Sequence, residues 1–145
     1  MSALENKQLM QEIFAAAASP DPAMRDRALF TATLADDATW TVTGQYSWSR
    51  TFRGKEAILN DLHGHVRSRL VDRARTVAHR FIADGDHIVV ESVGDMRTKA
   101  GVPYSNEYCL IYRLRDGKIV EITEYCDSAL CEQVLGPFPA ERKQA

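Results

Sequence analysis

The spacing of apolar residues predicts that the chain begins with two helices. Ser2 stands three residues before Glu5, as in a capping box, and apolar side chains then recur at helical intervals up to Ala17. Asp21 followed by Pro22 is typical of an N-cap and a first helical residue, so a second helix is predicted to run to about residue 34. We expect the two helices to form an antiparallel pair over a sheet.

A third helix is predicted from about residue 54 to residue 70, because its apolar positions form one arc. Arg69 falls inside this arc, whereas His63 and His65 lie on its two edges. The segment before this helix contains Tyr46 and Trp48 and is expected to be a short strand or a lid. The pattern assigns no role to any of these five side chains.

Alternating apolar and polar residues predict strands in most of the remaining chain. They cover residues 38–43, 76–83 and 87–96, followed by two strands joined at Asp116-Gly117. The Asp-Gly pair tolerates positive φ at both positions of a type I′ turn, and therefore predicts a hairpin with a two-residue loop. Asp127 is expected to cap a last, short helix from Ser128 to about Leu135. The predicted fold is α+β, with three helices of the N-terminal half packed on a curved antiparallel sheet.

The two-residue loop predicts the register of the hairpin, in which directly opposite residues share a face. The expected pairs are Arg115 with Lys118, Arg113 with Val120, Ile111 with Ile122 and Cys109 with Glu124. Glu124 is then a carboxylate in line with apolar residues, where burial without a partner is costly and raises the pKa. The pattern fits equally well a Glu124 at the sheet rim that reaches water. A bulge would instead move Tyr108 and Leu110 to the side of Glu124.

Length and composition indicate one soluble globular domain, residues 1–145. The chain is 45% hydrophobic and 26% charged, and its net charge of −2 argues against binding to nucleic acid by neutralising phosphates. We expect no signal peptide and no membrane span. Three cysteines, an odd number, indicate free thiols and a cytoplasmic protein. No spacing of Cys or His indicates a metal site, and no fingerprint indicates a cofactor.

The ends of the predicted hairpin carry a resemblance to a known family. Residues 116–119, Asp-Gly-Lys-Ile, and residues 124–127, Glu-Tyr-Cys-Asp, resemble the last hairpin of SnoaL-like proteins, which belong to the superfamily of nuclear transport factor 2 and ketosteroid isomerase. Residues 35–39, 52–58 and 84–86 extend the likeness over most of the chain. The resemblance implies a cone-shaped fold, with the helices on the concave face of the sheet and a pocket between them.

The pocket is expected to bind a hydrophobic small molecule, because its inferred lining is apolar with few polar groups. That lining comprises Phe14, Trp40, Ile58, Leu62, Ser92, Cys109, Ile111, Ile122 and Glu124. The resemblance places Trp40 near the mouth and turns the face of Ser92 towards the cavity. It also implies a homodimer formed through the outer sheet face, for which the expected residues are Tyr108, Tyr112, Leu114, Ile119 and Tyr125.

Glu124 is the candidate catalytic residue. SnoaL-like polyketide cyclases use an acid–base carboxylate three residues before the Asp that follows the last strand, and Glu124 precedes Asp127 by three. The roles used by ketosteroid isomerase fall on Phe14, Val42 and Cys109, so that mechanism is not expected.

The first hypothesis is therefore a cofactor-free cyclase, isomerase or lyase that works through Glu124. One alternative is a non-catalytic ligand-binding or dimerising module of the same fold. The other is a hydrolase similar to limonene-epoxide hydrolase. Its Arg and Asp positions hold Ser92 and Gly94 here, so this reaction would require Arg69 or Asp95 to substitute.

Overall fold

A computed structural model describes residues 1–139 of the chain. Helix α1, Ala3–Ala17, begins where the capping box predicts, because the Ser2 side chain accepts a hydrogen bond of 3.1 Å from the backbone N–H of Glu5. The helix buries Met10, Ile13 and Phe14 against the sheet. The N-terminal prediction is therefore confirmed.

The predicted second helix is interrupted. Asp21 caps only a single 3-10 turn, Pro22–Met24, and the chain is extended at Arg25. The Asp26 side chain then accepts a hydrogen bond of 2.8 Å from the N–H of Ala28, where helix α2, Ala28–Thr33, begins. A single helix from residue 21 is therefore wrong, because a second local cap restarts the chain in a new direction.

The third helix, α3, has two parts. Its first part, Ala57–His63, is π-helical, and its second part, Gly64–Arg69, is α-helical. A π-helical segment takes one more residue per turn and is often found at functional sites. Here it contributes Leu62 and His63 to the wall of a cavity.

Eight strands follow the chain order and form two sheets. They are β1 Leu34–Val42, β2 Arg50–Arg53, β3 Thr76–Asp84, β4 His87–Gly94, β5 Met96–Arg97, β6 Pro103–Tyr104, β7 Glu107–Arg115 and β8 Lys118–Cys126. The main sheet has the order β2-β1-β8-β7-β4-β3, and β5 pairs with β6. Strand β1 runs parallel to β8, whereas the other neighbours in the main sheet are antiparallel. The sheet is therefore mixed rather than wholly antiparallel. A short helix α4, Ser128–Leu135, ends the described fold, and Asp127 caps it as predicted.

The hairpin turn forms as predicted, but a bulge shifts the pairing beyond it. Asp116 and Gly117 both have positive φ, and Arg115 pairs with Lys118. Leu114 then pairs with Ile119, but Arg113 pairs with Glu121, which leaves Val120 as an extra residue on β8. The bulge buries both isoleucines of this strand, Ile119 and Ile122, beside Leu114 and Tyr112.

This shift changes which side chains share a face. Glu124 pairs with Leu110, and Tyr112 pairs with Ile122, so the expected pairs of Cys109 with Glu124 and Ile111 with Ile122 are wrong. Four of the five residues expected on the outer face are instead directed inward: Tyr108 and Tyr112 line the cavity, and Leu114 and Ile119 are buried. Only Tyr125, 48% exposed, remains on the outer face.

The helices cover the concave face of this curved, open sheet. Helix α1 packs on β3 and β4, and α4 packs beside β6. No helix within residues 1–139 is both long and apolar enough to cross a membrane.

Candidate active site

A cavity of about 480 Å³ lies between the concave face of the sheet and the helices. Its wall is rich in aromatic rings, which are Phe14, Phe30, Trp40, Tyr46, Trp48, Tyr104, Tyr108 and Tyr112. Volume and lining are typical of a site for an apolar small molecule.

The structure brings four of the nine predicted site residues into this wall: Phe14, Trp40, Leu62 and Glu124. Three others, Ile58, Ser92 and Ile122, are buried in the core without lining the cavity. The remaining two, Cys109 and Ile111, lie on the outer face of the sheet because of the bulge at Val120. Their assignment to the pocket is therefore corrected.

Glu124 is held firmly by its strand neighbours. It lies opposite Leu110 on β7 and opposite Val42 on β1. Its backbone carbonyl accepts hydrogen bonds from Thr43, at 3.1 Å from the amide and 2.8 Å from the hydroxyl. The backbone that carries the carboxylate is therefore held by hydrogen bonds, and the carboxylate lines the cavity between two apolar neighbours.

Burial raises the pKa of Glu124 to about 7 from an ordinary value of 4.5. Contacts with Trp40 and Cys126 oppose this rise and lower the pKa by a smaller amount. No Lys, Arg or His within residues 1–139 forms an ion pair with this carboxylate. A carboxyl with a pKa near neutrality can both accept and donate a proton, which general acid–base catalysis requires.

The indole N–H of Trp40 lies near the carboxyl of Glu124. It is buried and makes no hydrogen bond of ordinary geometry within the described residues, although its proximity lowers the pKa of Glu124. An unsatisfied buried N–H is costly, so a ligand oxygen placed here would gain a donor that needs no reorganisation.

Cys126 is a neighbour of Glu124 that the sequence pattern did not single out. It lies two residues further along β8, on the same face, and its sulfur is 3.3 Å from the hydroxyl of Tyr46. Burial raises the pKa of this thiol to about 12, and Glu124 adds to the rise. The thiol therefore stays protonated and acts as a weak hydrogen-bond donor rather than as a nucleophile.

A buried polar network holds Tyr104 in the cavity wall. Asn106 donates to the Tyr104 hydroxyl at 2.8 Å and to the carbonyl of Asp127 at 3.0 Å, and it accepts from the Asp127 amide at 3.0 Å. This network links the residue just before β7 to the residue just after β8. Burial raises the pKa of Tyr108, and Tyr104 and Glu124 add to the effect.

The cavity wall also contains Arg27 and His63. A guanidinium nitrogen of Arg27 is 3.3 Å from Nδ1 of His63, whose ring packs edge-on against Trp40 at 4.9 Å between centroids. Burial first, and Arg27 second, lower the pKa of His63 well below its ordinary range. No role could be assigned to His63 from the sequence, and Arg27 was not singled out. The only available signal was that Arg27 precedes the buried Phe30 by one helical turn.

The sequence pattern also assigned no role to Tyr46, Trp48, His65 and Arg69. Tyr46 and Trp48 line the cavity, and Trp48 donates to the carbonyl of Gly136 at 2.9 Å. His65 packs on Phe138, whereas Arg69 donates to the carbonyls of Leu135 and Pro137 and so caps the end of α4. The last candidate for an epoxide-hydrolase role, Asp95, pairs with Arg75 at 2.6 Å. Neither Arg69 nor Asp95 belongs to the cavity wall.

Within residues 1–139, no three side chains of His, Cys, Asp or Glu come together as metal ligands would. The cavity wall therefore contains Glu124, Arg27 and His63 as separate side chains, not as parts of a metal-ligand cluster among residues 1–139.

A family model described as a SnoaL-like domain matches residues 11–122, which is most of the chain. The protein belongs to the SnoaL-like domain family. The matched region ends two residues before Glu124, so membership supports the fold more directly than it supports this carboxylate. No functionally curated protein matches the chain significantly.

Solved structures share this fold at low sequence identity. An NTF2-like protein of unknown function from Burkholderia pseudomallei is 23% identical, with a TM-score of 0.74 over 93% of this chain and 98% of that one. A SnoaL-like polyketide cyclase, so described provisionally, from Jannaschia is 13% identical, with a TM-score of 0.73 over 94% of each chain. TerC, co-crystallised with polyporic acid, is 19% identical, with a TM-score of 0.71 over 90% of this chain and 97% of that one. At these identities the likeness shows the fold alone.

Proposed function

We propose that this protein binds a hydrophobic small molecule in its cavity and carries out cofactor-free acid–base chemistry on it through Glu124. The observation that carries the proposal is the carboxyl of Glu124, with a pKa of about 7, in an aromatic cavity of about 480 Å³. A SnoaL-like cyclase and a small-molecule complex among the fold relatives agree with such a use of the fold.

The chemical step follows from the environment of Glu124. The ionised carboxylate takes a proton from a carbon next to a ligand carbonyl, which leaves an enolate, and the carboxyl then returns the proton to the same or another carbon. The Trp40 N–H, which lacks a partner of ordinary geometry within the described residues, is placed to stabilise the developing oxyanion. Such a step underlies cyclase, isomerase and lyase reactions alike.

A carbon acid of simple structure tests the proposal without knowledge of the natural substrate. β-Tetralone, an apolar bicyclic ketone, is incubated with the protein in deuterated water, and exchange at its acidic carbon is followed by NMR. We expect wild type to accelerate the exchange and Glu124→Gln to lose about 10²-fold or more of that acceleration. Glu121→Gln is the matched control, since Glu121 lies on the outer face and pairs with Arg113 at 3.2 Å.

The second candidate function is a binding module without catalysis. It is favoured by one observation: neither a His nor an Arg reaches Glu124, whose described neighbours are Trp40 and Cys126. Binding of β-tetralone that is equal in wild type and Glu124→Gln, with no enzyme-dependent exchange in either, would replace the catalytic proposal by this one.

A homodimer is the remaining part of the proposal. Its support is now the family resemblance together with the half-exposed Tyr125, since most of the expected interface residues face inward. Sedimentation at micromolar concentration tests it, and a monomer would overturn it.

A further inference from the structure

The charges of the cavity wall are strongly unbalanced. Among residues 1–139, the wall contains three arginines, Arg27, Arg67 and Arg73, and one carboxylate, Glu124. The ion pairs within residues 1–139 are Arg75 with Asp95, Arg80 with Glu91, His87 with Asp86 and Arg113 with Glu121. None of the three cavity arginines takes part in them.

Arg27 is the most enclosed of these arginines. Its guanidinium carbon lies 5.2 Å from the centroid of the Phe30 ring, and one of its nitrogens contacts His63. Burial lowers the pKa of Arg27, while nearby Tyr112 raises it slightly. The ordinary pKa of arginine is so high that the side chain keeps its charge. The side chain is partly buried and its charge has no ion pair within residues 1–139, so an anion in the cavity would gain a charged hydrogen-bonding partner there.

His63 does not supply that anion. A guanidinium can only donate hydrogen bonds, so Nδ1 of His63 must accept from Arg27 and the ring must be neutral with its proton on Nε2. The low pKa of His63 agrees with a neutral ring. His63 therefore orients the guanidinium and occupies one of its nitrogens. The other N–H groups of Arg27 have no hydrogen-bond partner among residues 1–139.

Tyr112 relates Arg27 to Glu124. Burial raises the pKa of its hydroxyl, Arg27 lowers it, and Glu124 raises it, so both charges act on this ring from nearby. No ion pair joins Arg27 to Glu124 within the described residues. Tyr112 therefore lies near both a cationic and a proton-transferring side chain of the cavity wall.

We infer that the ligand is an apolar molecule that carries an anionic oxygen group, such as a carboxylate, and that Arg27 binds this group while aromatic side chains hold the apolar body. The inference rests on the proposed function and specifies its substrate class. Arginine suits this role because its planar fork forms two parallel hydrogen bonds with a carboxylate. Arg67 and Arg73 are exposed residues of the same wall, so they would attract an anion towards the cavity.

Two probes of nearly equal shape test the charge requirement. β-Naphthoate is ionised near neutral pH, and β-naphthamide is neutral; the affinity of each is measured by titration calorimetry near neutral pH. We expect wild type to bind the naphthoate about tenfold more tightly than the amide, as one charge-assisted bidentate contact would provide. Arg27→Gln should reduce the preference to about twofold or less, chiefly by weakening the naphthoate.

Three further variants make the test specific. Arg27→Lys keeps the charge and should retain part of the preference for the naphthoate. It replaces Arg27→Gln in the test if circular dichroism shows that Arg27→Gln is not folded. Arg113→Gln is the matched control on the outer face and should leave both affinities unchanged. Arg67→Gln should lower the association rate of the naphthoate and leave its dissociation rate unchanged. This effect on the association rate should be smaller at high salt.

Each result has a distinct meaning. Equal affinity of wild type for the two probes would overturn the inference and leave the hydrophobic cavity of the proposed function in place. A preference for the naphthoate that survives in Arg27→Gln would overturn the role of Arg27. Absence of binding by either probe at millimolar concentration would overturn both the inference and the proposed binding function.

Discussion

Strand β8 carries two glutamates, three residues apart, in opposite environments. Glu121 is on the outer face, 49% exposed, with its carboxylate 3.2 Å from Arg113. Glu124 is on the inner face, next to an indole and a thiol, and burial raises its pKa to about 7. Residue type and strand are the same, so the difference comes from the face alone. A carboxylate is prepared for proton transfer when it is desolvated without a cation.

The bulge at Val120 decides which face each glutamate takes, and moving a glutamate to the inner face should have the largest effect. Exchange of two neighbours, Glu121→Ile with Ile122→Glu, would bury a carboxylate away from Arg113 and expose an isoleucine. We expect a loss of about 4 kcal/mol or more in the free energy of unfolding near neutral pH, measured with urea.

Val120→Ala is the control for this exchange, since it keeps both neighbours in place and removes only part of a half-buried side chain on the same strand. It should cost about 1 kcal/mol. An exchange variant as stable as Val120→Ala would show that the face of the sheet does not determine the cost of a glutamate.

The bulge also explains which features the sequence could predict. The Asp116-Gly117 turn and the caps at Ser2 and Asp127 depend on a few neighbouring residues, and all three were predicted correctly. The register beyond the turn depends on packing against β4 and β1, which are distant in the chain. A local pattern therefore placed Cys109 beside Glu124, where the structure places Leu110.

Arg27 illustrates a second limit. The sequence predicted one helix through this position, and a charged residue on such a helix is ordinarily assigned to its solvated face. Two local caps break the segment and restart it as α2, immediately after Arg27. The guanidinium reaches His63, 36 residues later in the chain. A contact of this kind has no signature in hydrophobic periodicity.

The pH dependence of stability should be the next largest difference between the two glutamates. In the unfolded chain Glu124 ionises near 4.5, whereas in the fold it holds its proton up to about 7. Between these values the folded state binds more protons, so stability falls as pH rises, by roughly 3 kcal/mol in all. The penalty is absent below about 4.5 and complete above about 7.

Glu124→Gln should remove this dependence, because the amide does not ionise. Urea unfolding from about pH 4 to about pH 8, chosen to span the two values, should show that the stability of the variant increases relative to that of wild type as pH rises. Glu121→Gln should leave the slope of wild type in place over that range. An equal slope in wild type and Glu124→Gln would contradict a raised pKa at this position.

The indole of Trp40 should account for a smaller part of the difference. Trp40→Phe removes the donor that lowers the pKa of Glu124, so this pKa should rise further, by up to about one pH unit. Carbon-13 NMR of the labelled carboxyl measures it directly. Trp48→Phe is the control, since the N–H of Trp48 donates to Gly136 rather than towards the carboxyl. An unchanged pKa in Trp40→Phe would mean that the indole does not contribute to its value.

The smallest effect is expected for Glu121→Gln, because the side chain of Glu121 faces water rather than the cavity. Glu121→Gln breaks the contact with Arg113, but the carboxylate of Glu121 is about half exposed and Arg113 is partly exposed. An ion pair in such a place gains little over separate hydration and is screened by salt, so the loss should be about 0.5 kcal/mol or less. Urea unfolding at low and high salt measures it, and the small loss should disappear at high salt. A loss comparable to the pH-dependent penalty at Glu124 would mean that the outer face is covered and desolvated in solution, as in the proposed homodimer. Sedimentation of Glu121→Gln beside wild type would then separate a weakened dimer from a destabilised monomer.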